Sequence, residues 1–95
     1  MEKSAIHIRI TGFVQNVLFL IDIKKNAEEL CLTGWIKKPQ WDGSVEAFFE
    51  GNKDALSNFI NWCDPSSFRE KIDKIDKIES DWQNYTGKFD KISIL

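Results

Sequence analysis

The residues most able to do chemistry form one short polar stretch after an apolar, strand-like segment. Gly12 ends that segment, and Gln15 and Asn16 come just before a helical pattern that begins near Phe19. The first N–H groups of a helix have no carbonyl partner within it, and the helix dipole is positive at that end. Such backbone donors bind anions such as phosphate. The stretch therefore indicates an anion site, although most turns between a strand and a helix are only connections.

Composition restricts the other classes of function. The chain has 95 residues, which predicts one domain over residues 1–95, and its net charge of −2 argues against nucleic-acid binding, which needs a basic face. No segment has the length and apolar character of a membrane span, and the first four residues are typical of a cytoplasmic protein. Cys31, Cys63 and His7 follow no metal-binding spacing, so we expect neither a metal nor a cofactor.

Periodicity predicts the elements that position the polar stretch. Residues 5–10 alternate as a half-buried strand, with His7 and Arg9 on the face opposite three isoleucines. An amphipathic helix follows from about Phe19 and ends near Cys31, in a position where glycine commonly caps a helix.

The second half of the chain carries a similar succession of elements. Strands are predicted over 33–38 and 44–50, joined by a turn at Asp42-Gly43, and Asn52 is expected to cap a helix that stops at Asp64-Pro65. Residues 70–79 repeat isoleucine in threes, which fits neither regular strand alternation nor a helix. The pattern favours an exposed charged strand with irregular pairing, and a bulge would reconcile the repeat with a strand. After a polar turn at 84–88, a last strand is predicted from three apolar residues, Phe89, Ile92 and Ile94.

This order predicts an α+β fold, a ferredoxin-like split βαβ sandwich (βαββαβ plus a C-terminal strand). Its antiparallel sheet would carry two helices on one face and leave the other face open. The two helices would run antiparallel, so Cys31 and Cys63 would lie at opposite ends of the domain and form no disulfide.

Two motifs resemble those of the acylphosphatase family, small enzymes that hydrolyse acyl phosphates without a metal or cofactor. The first family motif consists, in this order, of a glycine, the sequence Val-Gln-Gly-Val, a pair of apolar residues and an arginine. It matches Gly12, Val14, Gln15, Asn16, Val17, Phe19 and Leu20. The second, Gly-Trp-Val-Arg-Asn before an Asp-Gly turn and a Ser-Val-Glu strand, matches residues 34–38 and 42–46. The resemblance implies a backbone anion cradle formed by Gln15, Asn16, Val17, Leu18 and Phe19.

The chain departs from the family at the two positions that carry the chemistry. In the family, an arginine grips the phosphate and an asparagine orients the attacking water, whereas these positions hold Leu20 and Lys38. Leucine cannot donate a hydrogen bond, and lysine has no acceptor for a proton of water. The resemblance therefore implies a protein that binds phosphate or an acyl phosphate but has lost most or all hydrolase activity.

Two alternatives remain open from the sequence. One is a working acylphosphatase that recruits another cation: Lys38, Lys37 or Lys24, with Arg9 a poorer candidate because it points to the open sheet face. The other is a binding module that uses this open face.

The open-face alternative depends on the aromatic residues. Phe48 and Phe49 lie on one predicted strand, where only one of them can face solvent, and Glu46 and Glu50 flank them. Core packing is expected for most aromatics, including Trp35 and Trp62. The sequence indicates no protein partner.

Overall fold

The computed structural model describes residues 2–12, 17–37, 44–63 and 75–95. Their elements are strands β1 (Lys3–Gly12), β2 (Thr33–Ile36), β3 (Val45–Asn52), β4 (Ile75–Gln83) and β5 (Ile92–Ile94), with helices α1 (Val17–Glu29) and α2 (Lys53–Cys63). The strands form one sheet in the order β4-β1-β3-β2-β5. The predicted ferredoxin-like arrangement is confirmed.

The core lies between the sheet and the two helices. The alternation in β1 places Ile6, Ile8 and Ile10 in this core at 0–1% exposure, together with Phe49 of β3. Both helices contribute buried side chains to the same cluster. These are Leu20, Ile23 and Ala27 from α1, and Leu56 and Phe59 from α2.

Both predicted helix caps are present. Asn52 Oδ1 accepts a hydrogen bond from the N–H of Asp54 at 3.4 Å, which satisfies one free donor of α2. Cys31 adopts a left-handed φ of 60°, and the N–H of Leu32 donates to the Ala27 carbonyl at 3.0 Å, as in a Schellman motif. A cysteine therefore holds the position that usually belongs to glycine.

The isoleucine repeat is reconciled by the bulge that was predicted. Thr11 pairs with Lys77, whereas the next residue, Gly12, pairs with Ile75, so Asp76 is an extra residue in β4. Ile72 and the predicted helix stop at Asp64-Pro65 lie outside the described residues.

Gly34 shows why the second residue of β2 is a glycine. Its φ is +143°, and a Cβ atom added there would lie 1.8 Å from the carbonyl oxygen of Phe48 in the neighbouring strand. Only glycine allows β2 to approach β3 so closely.

Three features differ from the sequence prediction. The fifth strand pairs parallel with β2, which makes the sheet mixed. This pairing is parallel because residues 84–91 cross from the β4 edge of the sheet to the β5 edge instead of making a hairpin. Phe89 precedes β5 and packs against Phe48 at 5.8 Å between ring centroids. Trp35 is outside the core: it is half-buried and stacks on Phe48 on the face opposite the helices. Alternation in these short strands did not reveal which segment covers each face.

Candidate functional site

The fold brings the two motif regions to one edge of the sheet. β1 ends at Gly12 and β2 ends at Ile36, and both strands run antiparallel to β3, which lies between them. Adjacent strands are ~4.8 Å apart, so β1 and β2 are separated laterally by roughly 10 Å. Ile36 is level with Ile8 in the register, and β1 extends beyond that level to Gly12. α1 starts at this same edge. The end of β1, the end of β2 and the start of α1 therefore lie at one edge of the sheet.

The backbone of the first turn of α1 is the described part of the predicted anion cradle. The helix begins at Val17, two residues earlier than the apolar spacing suggested, so the N–H groups of Val17, Leu18 and Phe19 belong to its first turn. This turn contains no acidic side chain that would repel an anion. Gln15 and Asn16 lie outside the described residues.

The structure places one of the two substituted positions. Leu20 is 4% exposed and belongs to the hydrophobic core beneath α1. Lys38 lies outside the described residues, and Lys37 is the last residue described before it. The Leu20 side chain thus packs in the core and offers no hydrogen-bond donor.

The other candidate cations are held by carboxylates. Lys37 Nζ lies 3.6 Å from Glu46 Oε1 and 5.6 Å from the centre of the Trp35 ring. Lys24 Nζ lies 4.0 Å from Glu28 Oε2, one helical turn further from the start of α1. Arg9 lies opposite Glu46 and Glu79 in the sheet register, on the face that alternation predicted.

A second polar cluster, centred on Glu46, was missed by sequence reasoning. The Nε2–H of His7 donates to Glu46 Oε2 at 2.6 Å, and Lys37 approaches the other carboxylate oxygen. The hydrogen bond from His7, followed by the charge of Lys37, holds the pKa of Glu46 below its ordinary value, although partial burial opposes this shift. Alternation placed these residues on one face, but only the strand register shows that they meet.

The same face carries a groove between β1 and β4, next to the Glu46 cluster. Its volume is about 280 Å³, and it is lined by His7, Arg9, Glu79, Ser80 and Asp81. Its charges are mixed in sign, so it lacks the uniformly positive lining of a phosphate site.

Two further searches cover only the residues that the structure describes. Among them, no three histidine, cysteine, aspartate or glutamate side chains are close enough to hold a metal ion. No helix in these ranges has the length and apolar character needed to cross a membrane.

Fold and site together define a ferredoxin-like α/β domain in which a helix begins at the β1–α1 edge of the sheet. A model of the acylphosphatase family matches residues 6–94. Acylphosphatases from Pelotomaculum thermopropionicum and Pyrobaculum islandicum are 31% and 33% identical to the chain. The first match covers 99% of this chain and 98% of the relative, and the second covers 100% and 97%. The chain belongs to the acylphosphatase family.

Solved structures give the same result. The acylphosphatase from Bacillus subtilis is 25% identical, with a TM-score of 0.80, and the match covers 97% of this chain and 98% of that one. HypF from T. kodakarensis is 28% identical with a TM-score of 0.76, but the match covers 97% of this chain and only 12% of HypF. The same fold therefore occurs alone and as part of a much longer chain.

Proposed function

We propose that this chain binds phosphate or acyl phosphates at the β1–α1 edge and hydrolyses acyl phosphates far more slowly than its intact relatives. The observation that carries the proposal is Leu20, which is 4% exposed in the core at the family's arginine position. Family membership supports an acyl phosphate as the ligand class. The impaired rate is inferred from the chemistry of the side chains.

The loss of a guanidinium removes a specific electrostatic contact. Arginine binds phosphate oxygens with two parallel charge-assisted hydrogen bonds, and leucine provides none. Removing one oriented donor from a transition state typically lowers the rate about 10²- to 10³-fold. Lys38, in the position of the water-orienting asparagine, adds charge but no acceptor. Both substitutions act on the same transition state, so their effects need not be additive.

The described cations offer little compensation. Lys37 and Lys24 are paired with Glu46 and Glu28, and Arg9 lies on the face away from α1. Lys38 is therefore the best remaining candidate for the alternative function, a working acylphosphatase with a substitute cation.

The backbone donors support binding without fast hydrolysis. The N–H groups in the first turn of α1 do not depend on the identity of residue 20. Loss of the arginine is thus compatible with a cradle that still accepts a phosphate group.

Restoring the family residues tests the proposed loss of catalysis. Hydrolysis of benzoyl phosphate is measured for the natural chain, for Leu20→Arg with Lys38→Asn, and for the B. subtilis relative. We expect the natural chain to be at least about 10²-fold slower than the relative and the double variant to gain at least about tenfold. Leu20→Met, which keeps an apolar side chain, is the matched control and should give no gain. Far-UV circular dichroism verifies that the buried arginine is accommodated.

If the natural chain hydrolysed benzoyl phosphate at a rate within tenfold of that of the B. subtilis relative, the proposal would be contradicted. If that rate fell sharply in Lys38→Met, the substitute-cation function would replace it.

Binding is tested separately by titrating inorganic phosphate and following backbone amide chemical shifts. We expect shifts confined to residues 12–19. No shift at millimolar phosphate would exclude a functional cradle and leave only the fold.

A further inference from the structure

Residues 84–91 cross the face of the sheet that the helices do not cover. We call this segment the strap. It leaves β4 at one edge of the sheet and reaches β5 at the other edge, and it contains no helix or strand. We propose that the strap opens and closes over this face, and that Glu50 is the residue that holds it closed.

The holding contact is a carboxylate buried under the strap. Glu50 is 0% exposed, although glutamate is rarely buried so completely. Its Oε2 accepts hydrogen bonds from the N–H and the hydroxyl of Thr86 at 2.8 and 2.6 Å, and its Oε1 accepts one from the N–H of Gly87 at 3.0 Å. Both oxygens are therefore bonded to the strap. Hydrogen bonds to a charged acceptor are stronger than hydrogen bonds to a neutral one. The contact with Glu50 is therefore the main attachment of the strap to the sheet.

The rest of the strap is attached more weakly. All its residues are exposed except Phe89, which is half-buried against Phe48. Tyr85 is 43% exposed, with Lys3 Nζ 5.3 Å from its ring centre. Segments with little buried apolar surface open at lower free energy than the core does. At the end of the strap, the N–H of Gly34 donates to the carbonyl of Lys91 at 3.1 Å. Before that end, the Glu50 carboxylate and the Phe89 ring account for most of the docking.

Opening would change the chemistry of the surface. Phe48 stacks on Trp35, with 6.1 Å between ring centroids and 18° between ring planes, and His7 meets the edge of Trp35. When Phe89 lifts away, Phe48 becomes accessible to solvent. The strap therefore controls how much aromatic surface this face exposes.

Hydrogen exchange on the full chain tests the role of Glu50. In Glu50→Gln, we expect the amides of Thr86 and Gly87 to exchange roughly ten- to a hundredfold faster, while those of Ile8 and Phe49 stay protected. Glu46→Gln is the matched control: it removes a carboxylate from the same strand and face whose bonds go to His7 and Lys37. It should leave the strap amides unchanged.

A second readout separates opening from the loss of individual bonds. In Glu50→Gln, the nuclear Overhauser effect between the rings of Phe48 and Phe89 should weaken severalfold. An unchanged nuclear Overhauser effect would overturn the proposal. Unchanged hydrogen exchange at Thr86 and Gly87 would also overturn it. If Glu50→Gln does not fold, Thr86→Val is tested instead, because it removes only the hydroxyl of Thr86 that donates to Glu50. Gly87 should then exchange severalfold faster, and unchanged exchange would again refute the role of Glu50.

Discussion

The two faces of the sheet have opposite chemistry. The face beneath the helices is apolar, with Ile8, Phe49 and Leu20 buried at 0–4% exposure. The other face carries Glu46 with its partners His7 and Lys37, and Arg9 lies opposite Glu46 and Glu79 in the sheet register. Because α1 begins on the apolar side, the charged side chains are not directed at its first turn. Among the described residues, the proposed anion site would therefore depend mainly on backbone donors.

The sharpest test of this difference uses two neighbouring residues on β3. Phe49 is fully buried and packs edge-on against Phe59, with ring centroids 4.9 Å apart, whereas Phe48 is half-buried on the other face. We expect Phe49→Ala to lower the free energy of unfolding by ~3–5 kcal/mol. Phe48→Ala, the matched control, should cost about 1–2 kcal/mol because less apolar area is lost.

Urea denaturation followed by circular dichroism measures both values. Equal losses would show that the strap side contains a second core of similar strength, which would remove the distinction between the faces.

A smaller effect is expected from the charged face as pH changes. The pKa of Glu46 in the folded chain is held below 4.5, first by the hydrogen bond from His7. A carboxyl whose pKa is lower in the folded chain than in the unfolded chain stabilises the fold at pH values above the unfolded-state pKa. This contribution is lost as the pH falls through the folded-state pKa. Glu46→Gln should therefore be less stable than the natural chain near pH 6, by under about 1 kcal/mol because the pair is partly exposed.

Urea unfolding at successive pH values checks this prediction. The difference between the two proteins should shrink as pH drops below 4.5. A difference that stayed constant in acid would contradict the assigned cause, and Glu28→Gln on α1 controls for the loss of one surface carboxylate.

The smallest expected effect lies at the end of α1. Cys31 has a left-handed φ of 60°, which is costly for a residue with a Cβ atom. Cys31→Gly should relieve this strain and stabilise the chain by ~0.5–1 kcal/mol, after allowance for the greater entropy of glycine in the unfolded chain. Thermal unfolding measures the gain. Cys31→Ala keeps the Cβ atom and should show no gain in stability. If Cys31→Ala were stabilised as much as Cys31→Gly, the effect would come from loss of the thiol and not from relief of backbone strain.

Local signals in the sequence were sufficient for much of the fold. The alternation in β1, the cap at Asn52, the end of α1 at Cys31 and the bulge in β4 each depend on neighbouring residues, and each is confirmed. Trp35 and Phe89 were misplaced because β2 and β5 have only four and three residues, too few for alternation to predict which side chains face the core. The parallel pairing of β5 depends on the path of the strap, which no local pattern contains.

The candidate site was predictable to a different extent. The motifs identified Leu20 as a departure from the family, but its burial depends on where α1 begins and on what packs beneath it. The meeting of His7 with Glu46 requires the strand register, since the two residues are far apart in the chain. Residue type thus predicted a position without a hydrogen-bond donor, whereas tertiary packing determined that its side chain is buried.

The order of the strands has a consequence for how the chain reaches its native state. The central pair joins Lys3 to Asn52 and Ile10 to Val45, and both outer strands come from residues 75–95. Most of the sheet therefore requires closure of long loops before any strand pairing can offset the lost chain entropy. Mixed α/β domains of this kind fold more slowly than helical bundles, in which most contacts are local. Slow, single-exponential refolding is the kinetic behaviour expected of this molecule.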